Sequence, residues 1–255
     1  MDTEGQLSLR ERPDQRVVMR QRWEELLFLH WEVNQDLIQA TLPEGLQVDT
    51  FEGNAYLGVV PFFMRGVRPS FLPAVPGISD FMECNLRTYV TGPEGPGVWF
   101  YSLDCNQPLA VEVARSFFHL SYYHAEMFAE WQEGDWVEYR TKRLYKSSLR
   151  KNEKTSSYRY RPESRPITGI AGPGSLEFFL IERYLLYSAN FKKNVLYSGR
   201  VWHEPYQVSR AEVTTLEDHL IEVAGFNKLE RPPEHQHYSA GVTVQIFGLN
   251  KCRMS

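Results

Sequence analysis

The stretch that decides the fold runs from Ala110 to Met127, AVEVARSFFHLSYYHAEM. Its first part, with the residues just before it, has helical spacing. Leu109, Val113 and Phe117 fall four apart with Ala110 and Ala114 beside them, and Asn106 is the expected cap. Pro108 suits a first helical turn. The period changes at Tyr123. Tyr123, Ala125, Met127, Ala129 and Trp131 alternate with His124, Glu126, Phe128 and Glu130, which is a strand pattern. Arg115 closes the helix, and His119 and His124 flank the turn into the strand. Successive strand residues face opposite ways, so one of Tyr122 and Tyr123 can enter a pocket while the other packs.

Working outward, strand patterns dominate. Residues 24–33 alternate Leu27, Leu29, Trp31 and Val33 with His30 and Glu32. Asn34 can cap a short helix through Ala40, which Pro43 and Gly45 end. Phe51 and the run AYLGVVPFFM (55–64) flank a hairpin signal at Glu52-Gly53-Asn54. MECNLRTYV (82–90) places Glu83, Asn85, Arg87 and Tyr89 on one face and Cys84, Leu86, Thr88 and Val90 on the other. GPEGPG (92–97) turns the chain into VWFYSLD (98–104). Further on, SLEFFLIERYLLYS (175–188) reads as a helix capped by Ser175. TLEDHLIEVAG (215–225) reads as a second, with Thr215 and Asp218 as a capping box and Gly225 as a stop. GVTVQIFGL (241–249) is the last strand. Many antiparallel strands with a few helices make an α+β domain over 21–255, preceded by a polar, flexible segment at 1–20.

Composition narrows the function. The 255 residues are 42% hydrophobic and 24% charged, enough for a sizeable core and against a disordered chain. Twenty-eight basic and 32 acidic residues give a net charge of −4, which offers no overall attraction to nucleic acid or acidic membranes. The longest apolar run is cut by Glu182 and Arg183, so no membrane span is expected. The first 16 residues lack the apolar core of a signal peptide. Cys84, Cys105 and Cys252 form no C-x-x-C pair, and a reducing cytoplasm is the expected compartment.

The motifs resemble one family. The acetoacetate-decarboxylase pattern is roughly G-R-E-x-x-G-[FY]-P-K-K-x-A. Against it this chain sets Ala114, Arg115, Ser116, His119, Leu120, Ser121, Tyr122, Tyr123 and Ala125. The order HWEVNQDLIQATLPEGL, FEGNAYLGVVPF and FMECNLRTYV, followed by the helix with Ala114-Arg115 and the strand with Tyr122-Tyr123, is similar to the acetoacetate-decarboxylase-like superfamily. LSYYHAEM, IERYLLY and VWHEPY resemble its YqjF-like bacterial branch. The resemblance implies a twisted antiparallel β-barrel or cone flanked by helices, with a pocket inside. It also places Glu83 at the family's active-site acid.

The family's chemistry departs here for a physical reason. Acetoacetate decarboxylase, a known example of this effect, depresses a lysine pKa so that the neutral amine forms a Schiff base. Tyr122 and Tyr123 stand where that lysine pair would be and have no amine. Lys192-Lys193, in a polar turn, gains no such depression.

The residues expected to carry chemistry are therefore Glu83 as acid or base, with Tyr122 or Tyr123 as hydrogen-bond donor. Arg115, His119, His124, His203, Asn85 and Arg87 are expected around a bound ligand. His235-x-His237 has metal-like spacing but no completing cluster, and Pro232-Pro233 points to a loop. Neither a metal nor a cofactor is expected. The expected partner is a small carbonyl or carboxylate molecule, either turned over or merely bound by a sensor. An alternative is nucleic-acid or protein contact through the basic hairpin at 139–161, where arginines interleave with Tyr139, Tyr145, Tyr158 and Tyr160. A solvated hairpin accounts for that composition more simply.

Overall fold

Seventeen-residue strands at both ends of the chain frame the fold. In the computed structural model, residues 2–144, 154–167 and 169–252 are described. After a helix α1 (Thr3–Arg10), strand β1 (Val17–Val33) and helix α2 (Gln35–Gln39) lead through β2 (Gln47–Val48) to β3 (Ala55–Pro69), β4 (Phe81–Gly92) and β5 (Gly95–Cys105). Helix α3 (Pro108–Phe117) gives way to β6 (Tyr122–Gln132), β7 (Trp136–Arg143), β8 (Ser156–Pro162) and β9 (Gly169–Ile170). Helix α4 (Leu176–Ile181) precedes β10 (Leu185–Asn190), β11 (Val195–Trp202) and β12 (Gln207–Glu217), and helix α5 (Leu220–Val223) precedes β13 (His235–Lys251).

Among the described residues, the strands join one 13-stranded sheet in the order β2-β4-β3-β1-β13-β11-β10-β5-β6-β7-β8-β12-β9. The extra β4–β5 ladder closes a ring through β3, β1, β13, β11 and β10. A second closing contact, β12–β13, folds the β6–β7–β8–β12 portion back onto it. Most ladders are antiparallel, but β5 pairs in parallel with both β6 and β10. The fold is α+β, with the twisted cone that the sequence leads one to expect. Sharp local geometry bends its longest strand. Glu25 has a φ of +53°, and the β1–β3 register shifts between Glu24 and Leu29. Opposite it, Gly241 has a φ of +135°, and an added Cβ would lie 2.1 Å from the Trp23 carbonyl oxygen. Only glycine fits that close approach.

The alternation of strand side chains builds two cores from the same strands. Leu26 and Phe28 of β1 join Tyr89 of β4, Phe179 of α4 and Tyr206 in one cluster. Leu27, Leu29 and Trp31 of β1 join Cys84 and Leu86 of β4 with Tyr139, Tyr158 and Tyr160 in another. Truncating a residue such as Leu27 to alanine in a core this closed costs about 2–5 kcal/mol.

Several local expectations differ from the structure. Residues 1–20 were expected as a flexible lead-in, yet α1 packs. The buried Gln6 amide donates to the carbonyls of Phe178 and Glu182 at 2.8 and 2.7 Å, and Arg200 holds the Leu9 and Glu11 carbonyls. Polar side chains make these contacts, so apolar patterning did not reveal them. The cap of α3 is Gln107, accepting from Leu109 N, and not Asn106. The expected 175–188 helix stops at Ile181, and Leu185–Asn190 becomes β10, because the ladder with β11 outcompetes helical propensity. Of the 215–225 helix only Leu220–Val223 remains, with Asp218 accepting from Ile221 N, while 215–217 finish β12. His235 and His237 lie on β13, not in a loop.

Candidate functional site

Strand β4 supplies the site's axis. Glu83, Asn85, Arg87 and Tyr89 all point into the cone and are buried. Phe81, Glu83 and Arg87 line a cavity of about 350 Å³. Tyr122 at the start of β6, Leu103 of β5, Val113 and Ala114 of α3, and Ile181 and Arg183 from the end of α4 also line it. Most of the wall is apolar. The cavity reaches solvent where Pro69, Ile78, Gln107 and Leu109 line it. Ile78 and Leu109 are 44% and 55% exposed, and the Gln107 amide bonds to the Gly77 carbonyl across this opening.

At one pole of the cavity stands an acid–phenol pair. The Tyr122 hydroxyl lies 2.5 Å from Glu83 Oε2, and Asn85 Nδ2 donates to Oε1 at 3.3 Å. Burial raises the Glu83 carboxyl to about 7, even though both hydrogen bonds favour the charged form. Glu83 therefore exchanges its proton near neutrality. Burial, reinforced by the neighbouring carboxylate, drives the Tyr122 phenol well above its ordinary value, so it stays protonated and donates.

At the other pole stand two buried guanidinium groups. Arg183 donates to the Phe179 carbonyl, pairs with Asp49 at 3.0 Å and stacks over Phe179 and Tyr89. Arg87 donates to the Leu180 carbonyl at 3.1 Å and sits over Phe28 and Tyr89. Among the described residues, no carboxylate lies within ion-pair distance of Arg87. Arg87 Nε and Arg183 Nη2 have no hydrogen-bond partner. Behind Tyr89, His30 Nε2 meets the Tyr89 hydroxyl at 2.7 Å, and burial holds this imidazole neutral.

The remaining expected residues fall into two groups. Asn85 supports Glu83 from within the wall. His203 lies behind it, stacked on Tyr184 and beside Tyr206, with burial pushing it down to about 4. Tyr123, Arg115, His119 and His124 lie outside the cavity. Tyr123 turns away from Tyr122 and takes the Arg143 guanidinium over its ring at 4.2 Å. Arg115 Nε donates to the Tyr122 carbonyl at 2.7 Å, tying α3 to β6. His119, at a φ of +51°, lines a surface groove with its ring tilted against that of Tyr197. His124 faces Glu112.

In the basic hairpin, the arginines and tyrosines have separate partners. Tyr139, Tyr158 and Tyr160 are buried in the second core, and Arg159 and Arg161 stack on Trp136. Tyr145 and the loop at 145–153 lie outside the described residues. Arg183, Tyr206 and Asp49 were missed. The one available signal was the charged pair Glu182-Arg183 inside an otherwise apolar run, which marks a buried charge.

The fold thus sets a largely apolar cavity, with a buried acid and two guanidinium groups in its wall, inside a strongly twisted sheet. The chain belongs to the DUF2071 family, described as an uncharacterized conserved protein, which it matches over residues 20–243. It is 38% identical over 241 residues to the Uncharacterized protein YqjF of Bacillus subtilis (strain 168), covering 94% of each chain. Its fold is similar to acetoacetate decarboxylase from Legionella pneumophila subsp. pneumophila str. Philadelphia 1, with a TM-score of 0.61 and 12% identity over 91% of this chain and 86% of that one. An acetoacetate decarboxylase-like enzyme from Sphingomonas wittichii RW1 gives 0.59 and 12%, covering 94% of each. The enduracididine biosynthesis enzyme MppR complexed with pyruvate gives 0.60 and 11%, covering 95% of this chain and 93% of that one. At such identities the likeness is one of fold: acetoacetate decarboxylase-like. No helix among the described residues is long and apolar enough to cross a membrane.

Proposed function

We propose that this protein performs acid–base chemistry on a carbonyl-bearing carboxylate without a lysine imine. The observation that carries this reading is the Glu83–Tyr122 pair, 2.5 Å apart in the cavity wall, with the carboxyl near 7. A general acid or base works best when its pKa lies near the working pH. Glu83 takes a proton from the carbon beside the carbonyl, and the Tyr122 hydroxyl donates to the carbonyl oxygen as negative charge develops there. The proton then returns to carbon or oxygen, so electrons stay in balance without a redox partner. Arg87 and Arg183 bind the carboxylate. Among the described residues lining the cavity there is no lysine to form an imine.

Deuterium exchange into oxo-carboxylates, followed by NMR in heavy water, tests this. The wild type accelerates exchange at the carbon beside the carbonyl, and Glu83→Gln lowers the rate by about 100-fold or more. Wild-type exchange no faster than in buffer, or undiminished exchange in the variant, defeats the reading. Binding without exchange would make the protein a ligand sensor instead.

A further inference from the structure

We infer that the cavity is built for an elongated, apolar-tailed monocarboxylate rather than for a short oxo-acid. The carboxylate would sit at Arg87 and Arg183, with its tail running along the apolar wall past Glu83 to the opening at Ile78 and Leu109. This rests on the reading of the cavity as a carboxylate site and names the class of molecule it takes.

Three observations carry it. The first is size. An engineered cavity of about 150 Å³ takes up benzene, so a hollow of about 350 Å³ accommodates on the order of 14 non-hydrogen atoms. A short oxo-acid of about six or seven would leave roughly half of it unfilled. The second is spacing. Glu83 and Arg87 are four residues apart on β4, about 13 Å along a strand, with one bulge between them. The Arg87 guanidinium lies over the Phe28 and Tyr89 rings and bonds to the Leu180 carbonyl. In a short oxo-acid the carbonyl and the carboxylate are neighbours, whereas the backbone positions of these two side chains stand about 13 Å apart. The third is chemistry. Most of the wall is apolar, Val98, Phe100, Leu103, Ile181 and Leu186 among it, and offers nothing to a polar chain. The Arg87 and Arg183 side chains line the same hollow, and among the described residues no carboxylate pairs with Arg87. A buried guanidinium without a counter-charge costs free energy until an anion arrives. A carboxylate supplies two oxygens and the negative charge to match.

Calorimetric titration of the wild type with straight-chain alkanoates from butyrate to tetradecanoate tests the inference without needing turnover. Affinity is expected to rise about threefold per added methylene and by at least about 100-fold from butyrate to decanoate. It should level off near dodecanoate, where the hollow is filled. Decanol, lacking the charge, should bind at least about tenfold more weakly than decanoate. Arg87→Gln should abolish that preference for decanoate over decanol. Should that variant fail to fold, Val113→Trp fills the wall on α3 and should move the plateau to shorter chains with the arginines intact. A flat chain-length series, or decanol binding as tightly as decanoate, overturns the proposal. Glu83→Gln should retain decanoate binding. Loss of deuterium exchange with an intact chain-length series therefore sinks only the catalytic reading, and the converse sinks only this one.

Discussion

Replacing Glu83 by glutamine keeps the shape and the acceptor for Tyr122 but removes the titration. In the unfolded chain the carboxyl titrates at 4.5, and in the folded cavity at about 7. A raised carboxyl contributes stability fully below 4.5 and loses it as pH climbs through 7, because the folded state holds the proton that the unfolded state has released. Between those values each pH unit costs about 1.4 kcal/mol, and from about pH 5 to about pH 8 the loss reaches about 2.5 kcal/mol. For a domain of this size that equals about 5–10 °C in melting temperature. Urea unfolding of wild type and Glu83→Gln at half-unit steps across this range measures it. Asp104, raised by burial to about 6, also titrates in this window in both proteins, so the difference reports Glu83 together with its repulsion from Asp104. The wild-type curve should fall relative to the variant up to about pH 7 and then run parallel. Curves parallel throughout would mean that Glu83 is not held protonated by the cavity, and the acid–base role would fail with it.

The same measurement on Tyr122→Phe should place the levelling point about one to two units higher, since the lost hydroxyl bond had favoured the carboxylate. An unchanged midpoint would show that the phenol does not tune the acid. Asp104→Ala strands the buried Arg143 guanidinium, which it holds at 2.6 Å, and should cost about 3–5 kcal/mol in urea unfolding. A loss under about 1 kcal/mol would show that water reaches this pair. Borohydride reduction with acetoacetate should leave the chain's mass unchanged, and a trapped lysine adduct by mass spectrometry would overturn the imine-free chemistry.

The sequence disclosed the strands best where their two faces differ. The alternation in residues 82–90 and the switch of period at Tyr123 located β4 and β6, and with them Glu83 and Tyr122. The pairing of those two residues was not legible, because it depends on the β5–β6 register that sets Leu103 opposite Tyr122. Arg183 was hidden for a related reason. Residues 175–188 have helical spacing and enough apolar content for a helix, and only the ladder with β11 converts their second half to strand. The packed N-terminal helix escaped notice because polar side chains such as Gln6 and Arg200 hold it. His119 and His124 sit near the right turn in sequence, yet α3 and β6 carry them to the outer side.

A wall one strand thick, shared by two cores, gives the cavity an unusual freedom to diverge. The cavity-facing residues of β4, and Tyr122 at the start of β6, can be exchanged while their neighbours go on gripping the support behind. Tyr122 and Tyr123 illustrate this division within two adjacent positions: the first lines the cavity beside Glu83, and the second carries the arginine that braces the scaffold. A lineage on this frame can thus discard one catalytic group and adopt another without rebuilding the shell that holds it.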